Sequence, residues 1–128
     1  MSEDRYRSFE EFWPYYLSEH RHPISRGLHY VGTATGLTVA SLGTLTLNPF
    51  AIPAGLVCGY GSAWVGHFII EKNRPATFTY PKWSLQGDMH MLKLKVTGKL
   101  HSDPAYVKII LNGEEAPAPG WLEGSAAA

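Results

Sequence analysis

Apolar residues fall along this chain in two unlike ways, in helical periods toward either end and in one uncharged block between them. Near the start, Phe9, Phe12, Trp13, Tyr16, Leu17 and His20 recur at the spacing of a single helix face. Ser8 and Glu11 stand ahead of them at capping-box spacing. Pro14 predicts a kink or a delayed start. An aromatic face of this kind suits a helix lying at the headgroup level of a membrane, or an amphipathic helix on a soluble core. From Lys82 to Leu100 the apolar positions are Leu85, Met89, Leu92, Val96 and Leu100, with Lys93, Lys95 and Lys99 off that stripe. This is a second amphipathic helix, either interfacial with its lysines toward anionic lipid or a short third span. Tyr106 to Leu111 reads equally as strand or helix.

The block between, Gly27 to Ile70, is over a third of the chain and contains no Asp, Glu, Lys or Arg. A lipid-crossing helix needs about 20 apolar residues at ~1.5 Å rise each, so the block is long enough for two. His22-Pro23 breaks the chain before it, and Asn48-Pro49 supplies a turn near its middle. The predicted legs run from Pro23 to Leu47 and from Phe50 to Glu71. Each carries a G-x-x-x-G pair, Gly32/Gly36 and Gly55/Gly59, which permits close helix approach. Arg21 and Arg26 before the block, and Lys72, Arg74 and Lys82 after it, place both ends on the cytoplasmic side. The predicted fold is all-α: a membrane helical hairpin of two spans flanked by amphipathic interfacial helices. Residues 1–113 form one helical membrane domain, and the Ala-, Pro- and Gly-rich 114–128 reads as a disordered tail.

Composition removes some functions. With 11 basic and 11 acidic residues among 128 and a pI near 7, no nucleic-acid partner attracted by bulk charge is expected. The single cysteine excludes an intrachain disulfide. The charged opening residues lack the apolar core of a secretory signal, so internal segments must do any membrane targeting. Association with a second copy stays open.

The hairpin carries a geometric consequence. His29 lies about 20 residues before the turn and His67 about 18 after it, so both sit at one depth near the cytoplasmic interface. Glu71 follows His67 by four residues, one turn nearer water on the same face. His20 ends at a similar level. Three imidazoles and a carboxylate suit Fe(II), Mn(II) or Zn(II), and equally a structural His/Glu hydrogen-bond network in a non-enzymatic membrane protein.

These residues also carry a resemblance. His20-Arg-His-Pro23 through His29, then Gly66-His67-Phe-Ile-Ile-Glu71-Lys72-Asn-Arg-Pro75-Ala76, resembles the paired signatures H-x-N-P-x-N-x-x-x-H and G-H-x-x-x-E-K-x-x-P-A. They belong to the 2-hydroxy-palmitic acid dioxygenase-like family, small iron-dependent membrane enzymes whose characterised fungal member resides in the endoplasmic reticulum. Phe12-Trp-Pro-Tyr-Tyr-Leu17 and Trp83-Ser-Leu-Gln-Gly-Asp88 resemble its short bacterial branch. His22 and Ser25 stand where the fungal pattern has asparagines. The resemblance implies Fe(2+) held by His20, His29 and His67, with Glu71 either a further ligand or a support to one, and Glu71 and Lys72 as catalytic residues. It implies dioxygen and a 2-hydroxy fatty acid as substrates, decarboxylated oxidatively. Lys72 and Arg74 are placed to pair with the substrate carboxylate or only to set topology, and His90 approaches the site should its helix fold under the hairpin. Membrane lipid is the implied surrounding, and a bacterial inner membrane with both termini cytoplasmic the implied location.

Overall fold

A computed structural model describes residues 5–122, and every regular element among them is helical. Helix α1 (Phe9–Ser18) begins where the capping signal puts it: the Ser8 hydroxyl accepts from the Glu11 N–H at 3.1 Å. Pro14 lies inside the helix without delaying its start. The aromatic face of α1 is turned into the protein. Phe12, Tyr16 and Leu17 are completely buried, packed with Tyr80, Met91, Leu100, Tyr106 and Ile109 in the main core.

Helix α2 (Pro23–Leu45) starts on proline, with His22 as its cap: His22 Nδ1 accepts from the Ile24 N–H. Helix α3 (Ala51–Trp64) returns beside it after the Asn48 turn and continues into a wider, π-helical turn (Val65–Glu71). The two helices touch backbone to backbone. A Cβ added at Gly36 would stand 2.6 Å from the Gly55 carbonyl oxygen, and one at Gly55 equally close to that of Gly36. The glycine pairs thus act as the sequence predicts.

The hairpin is present as a helix pair, without helices that meet the requirement for two spans. Among the described residues no helix is long and apolar enough to cross a membrane. Threonines and glycines dilute α2, and α3 gives way to the wider turn after Trp64. The outer surface is nonetheless strongly apolar: Leu45 is 80% exposed, Leu47 89%, Phe50 78% and Val57 72%.

Helix α4 (Pro81–Val96) leaves most of the predicted apolar stripe outside the protein core. Leu85, Met89 and Val96 are exposed, and the helix buries Ser84, Gly87 and Met91 instead. Gly87 decides this, since a Cβ there would lie 2.7 Å from the Tyr16 ring. Small residues, rather than the apolar stripe, let α4 close on the aromatic α1. Tyr106–Leu111 is helical, as a short α5 (Pro104–Tyr106) running into a second wide turn (Val107–Leu111). Of the predicted tail, residues 114–122 are described and tied down: Glu11 Oε1 accepts from the Gly120 N–H, and Trp121 Nε1 donates to the Glu11 carbonyl. Residues 123–128 lie outside the described part.

Candidate metal centre

Three chain segments each deliver one histidine to a common point. His20 sits on the turn that closes α1, His29 lies in the second turn of α2, and His67 belongs to the wide turn after α3. All three are buried, at 1%, 3% and 3% exposure. Their rings meet edge to face, with centroids 4.2 Å (His20–His29), 4.6 Å (His20–His67) and 4.9 Å (His29–His67) apart. Gly66 makes the approach of His67 possible, because a Cβ there would stand 2.8 Å from Ser25 Oγ on α2.

Each ring is oriented by an oxygen on its Nδ1 side. His20 Nδ1 donates to the Tyr16 carbonyl at 2.6 Å, and His29 Nδ1 to the Ser25 carbonyl at 2.9 Å. His67 Nδ1 donates to Asn73 Oδ1 at 2.8 Å, and the Asn73 amide is fixed by its own bond to the Glu19 carbonyl. Carbonyl oxygens only accept, so each Nδ1 carries the proton. In a neutral ring the other nitrogen, Nε2, is then a bare lone pair. Outer bonds of this kind orient imidazoles that ligate metals.

Charge does not resolve the crowding of lone pairs. Burial, and then repulsion from His29 and His67, hold His20 well below the ordinary imidazole value. Burial lowers His29 to about 4 and also lowers His67. The rings are therefore neutral near pH 7, yet Nε2 of His20 and Nε2 of His29 face each other at 3.0 Å. A hydrogen bond between them would need a proton on both nitrogens of one ring, the charged form that burial opposes. A cation satisfies all of them, and two nitrogens ~2.1 Å from one ion at a right angle stand about 3 Å apart. The ligating atoms of His20, His29 and His67 all lie within 4.8 Å of one another, so the residues present fit a metal ion. Ser25 Oγ is buried beside them with no hydrogen-bond partner among the described residues.

Other predicted site residues lie elsewhere. Glu71 is outside the three-histidine group, and its Oε1 accepts from the His22 backbone N–H at 2.6 Å. The physical reason is the wide turn: with i to i+5 bonding, four residues no longer complete one turn from His67. Lys72 takes a left-handed backbone (φ +58°) that reverses the chain and brings Asn73 back onto His67. Arg74 lies over the Phe78 ring at 5.1 Å. His90 packs on Trp13 and Phe9, among aromatic residues of α1. Arg26 reaches the edge of the cluster, donating to the carbonyls of His20 and Arg21.

Three contributors escape sequence reasoning. Asn73 reads as a loop residue, and only its separation from His67 hints at a partner. Tyr16 stacks on His20 at 4.2 Å and donates to Asp88 Oδ1 at 2.5 Å. Burial pushes the Asp88 carboxyl up to about 7, against a smaller lowering by the Tyr16 bond.

Comparison with the curated proteins and with the solved structures returned no match. The model of one family matches residues 6–100, described as 2-hydroxy-palmitic acid dioxygenase Mpo1-like. That interval holds α1 through α4 and all three histidines, and the chain belongs to this family.

Proposed function

We propose that this chain is an Fe(II)-dependent dioxygenase of 2-hydroxy fatty acids. In the proposed reaction one 2-hydroxy acid and one dioxygen give the acid one carbon shorter, carbon dioxide and water. The observation that carries the proposal is the convergence of three buried imidazoles whose outer nitrogens are all occupied. Family membership supplies the reaction class. Iron(II), when bound, would supply a place for dioxygen beside the substrate and the electrons that activate it.

The chain's own residues supply the rest. Three imidazoles are a neutral donor set that leaves other positions free for substrate and oxygen. Tyr16, Ser25 and Asn73 hold the rings before any ligand arrives, so little order is lost on binding. Burial keeps water from the reacting atoms. Ser25 Oγ supplies an unused hydroxyl beside His29 and His67. Lys72 and Arg74 remain candidates for steering the substrate carboxylate from the rim, with Arg26 closer in. Glu71 acts through position, fixing the His22 backbone and hence the link between His20 and α2.

The apolar outer surface of the hairpin, exposed from Leu45 to Val57, favours immersion in lipid, turn first. Both termini then stay on the cytoplasmic side, as the basic flanks favour, with a bacterial inner membrane the proposed site. Oxygen uptake tests the reaction. Iron-loaded protein should consume oxygen with a 2-hydroxy fatty acid and not with the unsubstituted acid. Iron retained without consumption in either case would discard the reaction and keep the metal site.

A further inference from the structure

A groove of about 160 Å³ runs along the hairpin between α2, α3 and α4. Its walls are Leu37 and Ala40 of α2, Ile52 and Leu56 of α3, and Leu85 and Met89 of α4. Two of the exposed stripe residues of α4, Leu85 and Met89, therefore have a place: they form the third wall. The floor is Gly36 against Gly55, where the two backbones touch and no side chain stands to fill the groove.

Register makes the groove an extension of the metal centre. On α2, Thr33, Leu37 and Ala40 follow His29 by four, eight and eleven residues, all on its face. Ala40 lies about 16 Å beyond His29 at ~1.5 Å per residue. The polar lining gathers at the inner end, where Thr33, Tyr60 and Asp88 stand. Asp88 is bonded to Tyr16, and Tyr16 is stacked on His20. An occupant must therefore be apolar over most of its length and polar at the end that faces the histidines.

We propose that this groove holds the hydrocarbon tail of a free long-chain fatty acid, with Ala40 and Ile52 setting its far end; the inference rests on the fatty-acid reading of the metal centre. The Tyr16–Asp88 pair marks where the chain turns toward the imidazoles. A bilayer phospholipid fits less well, because its large headgroup would have to be seated among the half-buried Thr33, Tyr60 and Asp88.

The test uses the purified full chain without added metal, and hexadecanoic acid carrying a photoreactive diazirine near its methyl end. After irradiation, mass spectrometry should place the label on Leu37–Ala40 and Ile52–Leu56. Excess unlabelled hexadecanoic acid should block it, and phosphatidylcholine should not. Ala40→Phe should cut labelling at least tenfold while sparing a decanoic acid analogue. Should that variant not fold, Ile52→Phe at a half-exposed position carries the same expectation. Label spread over the outward-facing Phe50, Val57 and Phe68, equal blocking by phosphatidylcholine, or an unchanged yield in folded variants would overturn the proposal. Groove labelling in a protein that binds no iron leaves the groove and removes the dioxygenase. Iron binding and oxygen uptake without groove labelling does the reverse.

Discussion

At the scale of the residue, the centre depends on which nitrogen of each histidine is free. Two of the three orienting oxygens are backbone carbonyls, which substitution cannot remove, so Asn73 is the one partner open to direct test. Asn73→Ala should weaken metal binding about 10- to 100-fold with the fold intact, read by competition with a chelator. An unchanged affinity would mean that His67 needs no outer partner. The neutral state of the cluster also has a pH signature. In metal-free protein His29 is held near 4, against 6.5 for a solvated ring. Below pH 6.5 the unfolded chain takes up a proton that the folded cluster refuses. This contribution to stability is complete above pH 6.5 and drains away as the pH falls toward 4, by about 3 kcal/mol for His29 alone. Denaturant midpoints of metal-stripped protein should therefore be lower at pH 5 than at pH 7; equal midpoints would contradict neutral burial. The histidines themselves were legible in the sequence, because depth along two antiparallel helices is simple arithmetic. Tyr16 and Ser25 were not, because a backbone carbonyl that orients a ring leaves no mark on residue type.

At the scale of the element, the wide turn at Val65–Glu71 is where reading and structure part. A regular helix would have put Glu71 over His67 and made it a ligand. The wider turn sends its carboxylate to the His22 backbone and, through Lys72, folds Asn73 onto His67. Helix periodicity cannot foresee a local change of period, although Gly61 and Gly66 mark this leg as a weak helix former. Gly66→Ala tests the turn directly, since the added methyl would meet Ser25 Oγ at 2.8 Å and Ser25 is wholly buried. The variant should lose metal with a stability cost of roughly 1–3 kcal/mol. Full metal binding in Gly66→Ala would show that the turn has slack. The packing of α4 has a different origin. An apolar stripe does not by itself fix which face packs on protein, and here Ser84 and Gly87 do so by allowing closer approach to Tyr16.

At the scale of the whole molecule, two surfaces with different chemistry share one small chain. The aromatic core under α1 and α4 is packed like that of any globular domain, while the hairpin presents Leu47, Phe50 and Val57 outward. The absence of charge from Gly27 to Ile70 was a correct pointer to that apolar surface, and an incomplete one to crossing, because α2 is long enough but too weakly apolar and α3 is too short. Expressed protein should remain with the membrane fraction after a carbonate wash, and release into the supernatant would remove the proposed lipid contact. Everything else rests on the metal. The most direct measurement is the iron content of anaerobically purified protein offered Fe(II), in the wild type and in His29→Ala. One iron per wild-type chain, lost in His29→Ala, is the predicted result; a folded wild-type protein that takes up no iron would contradict it.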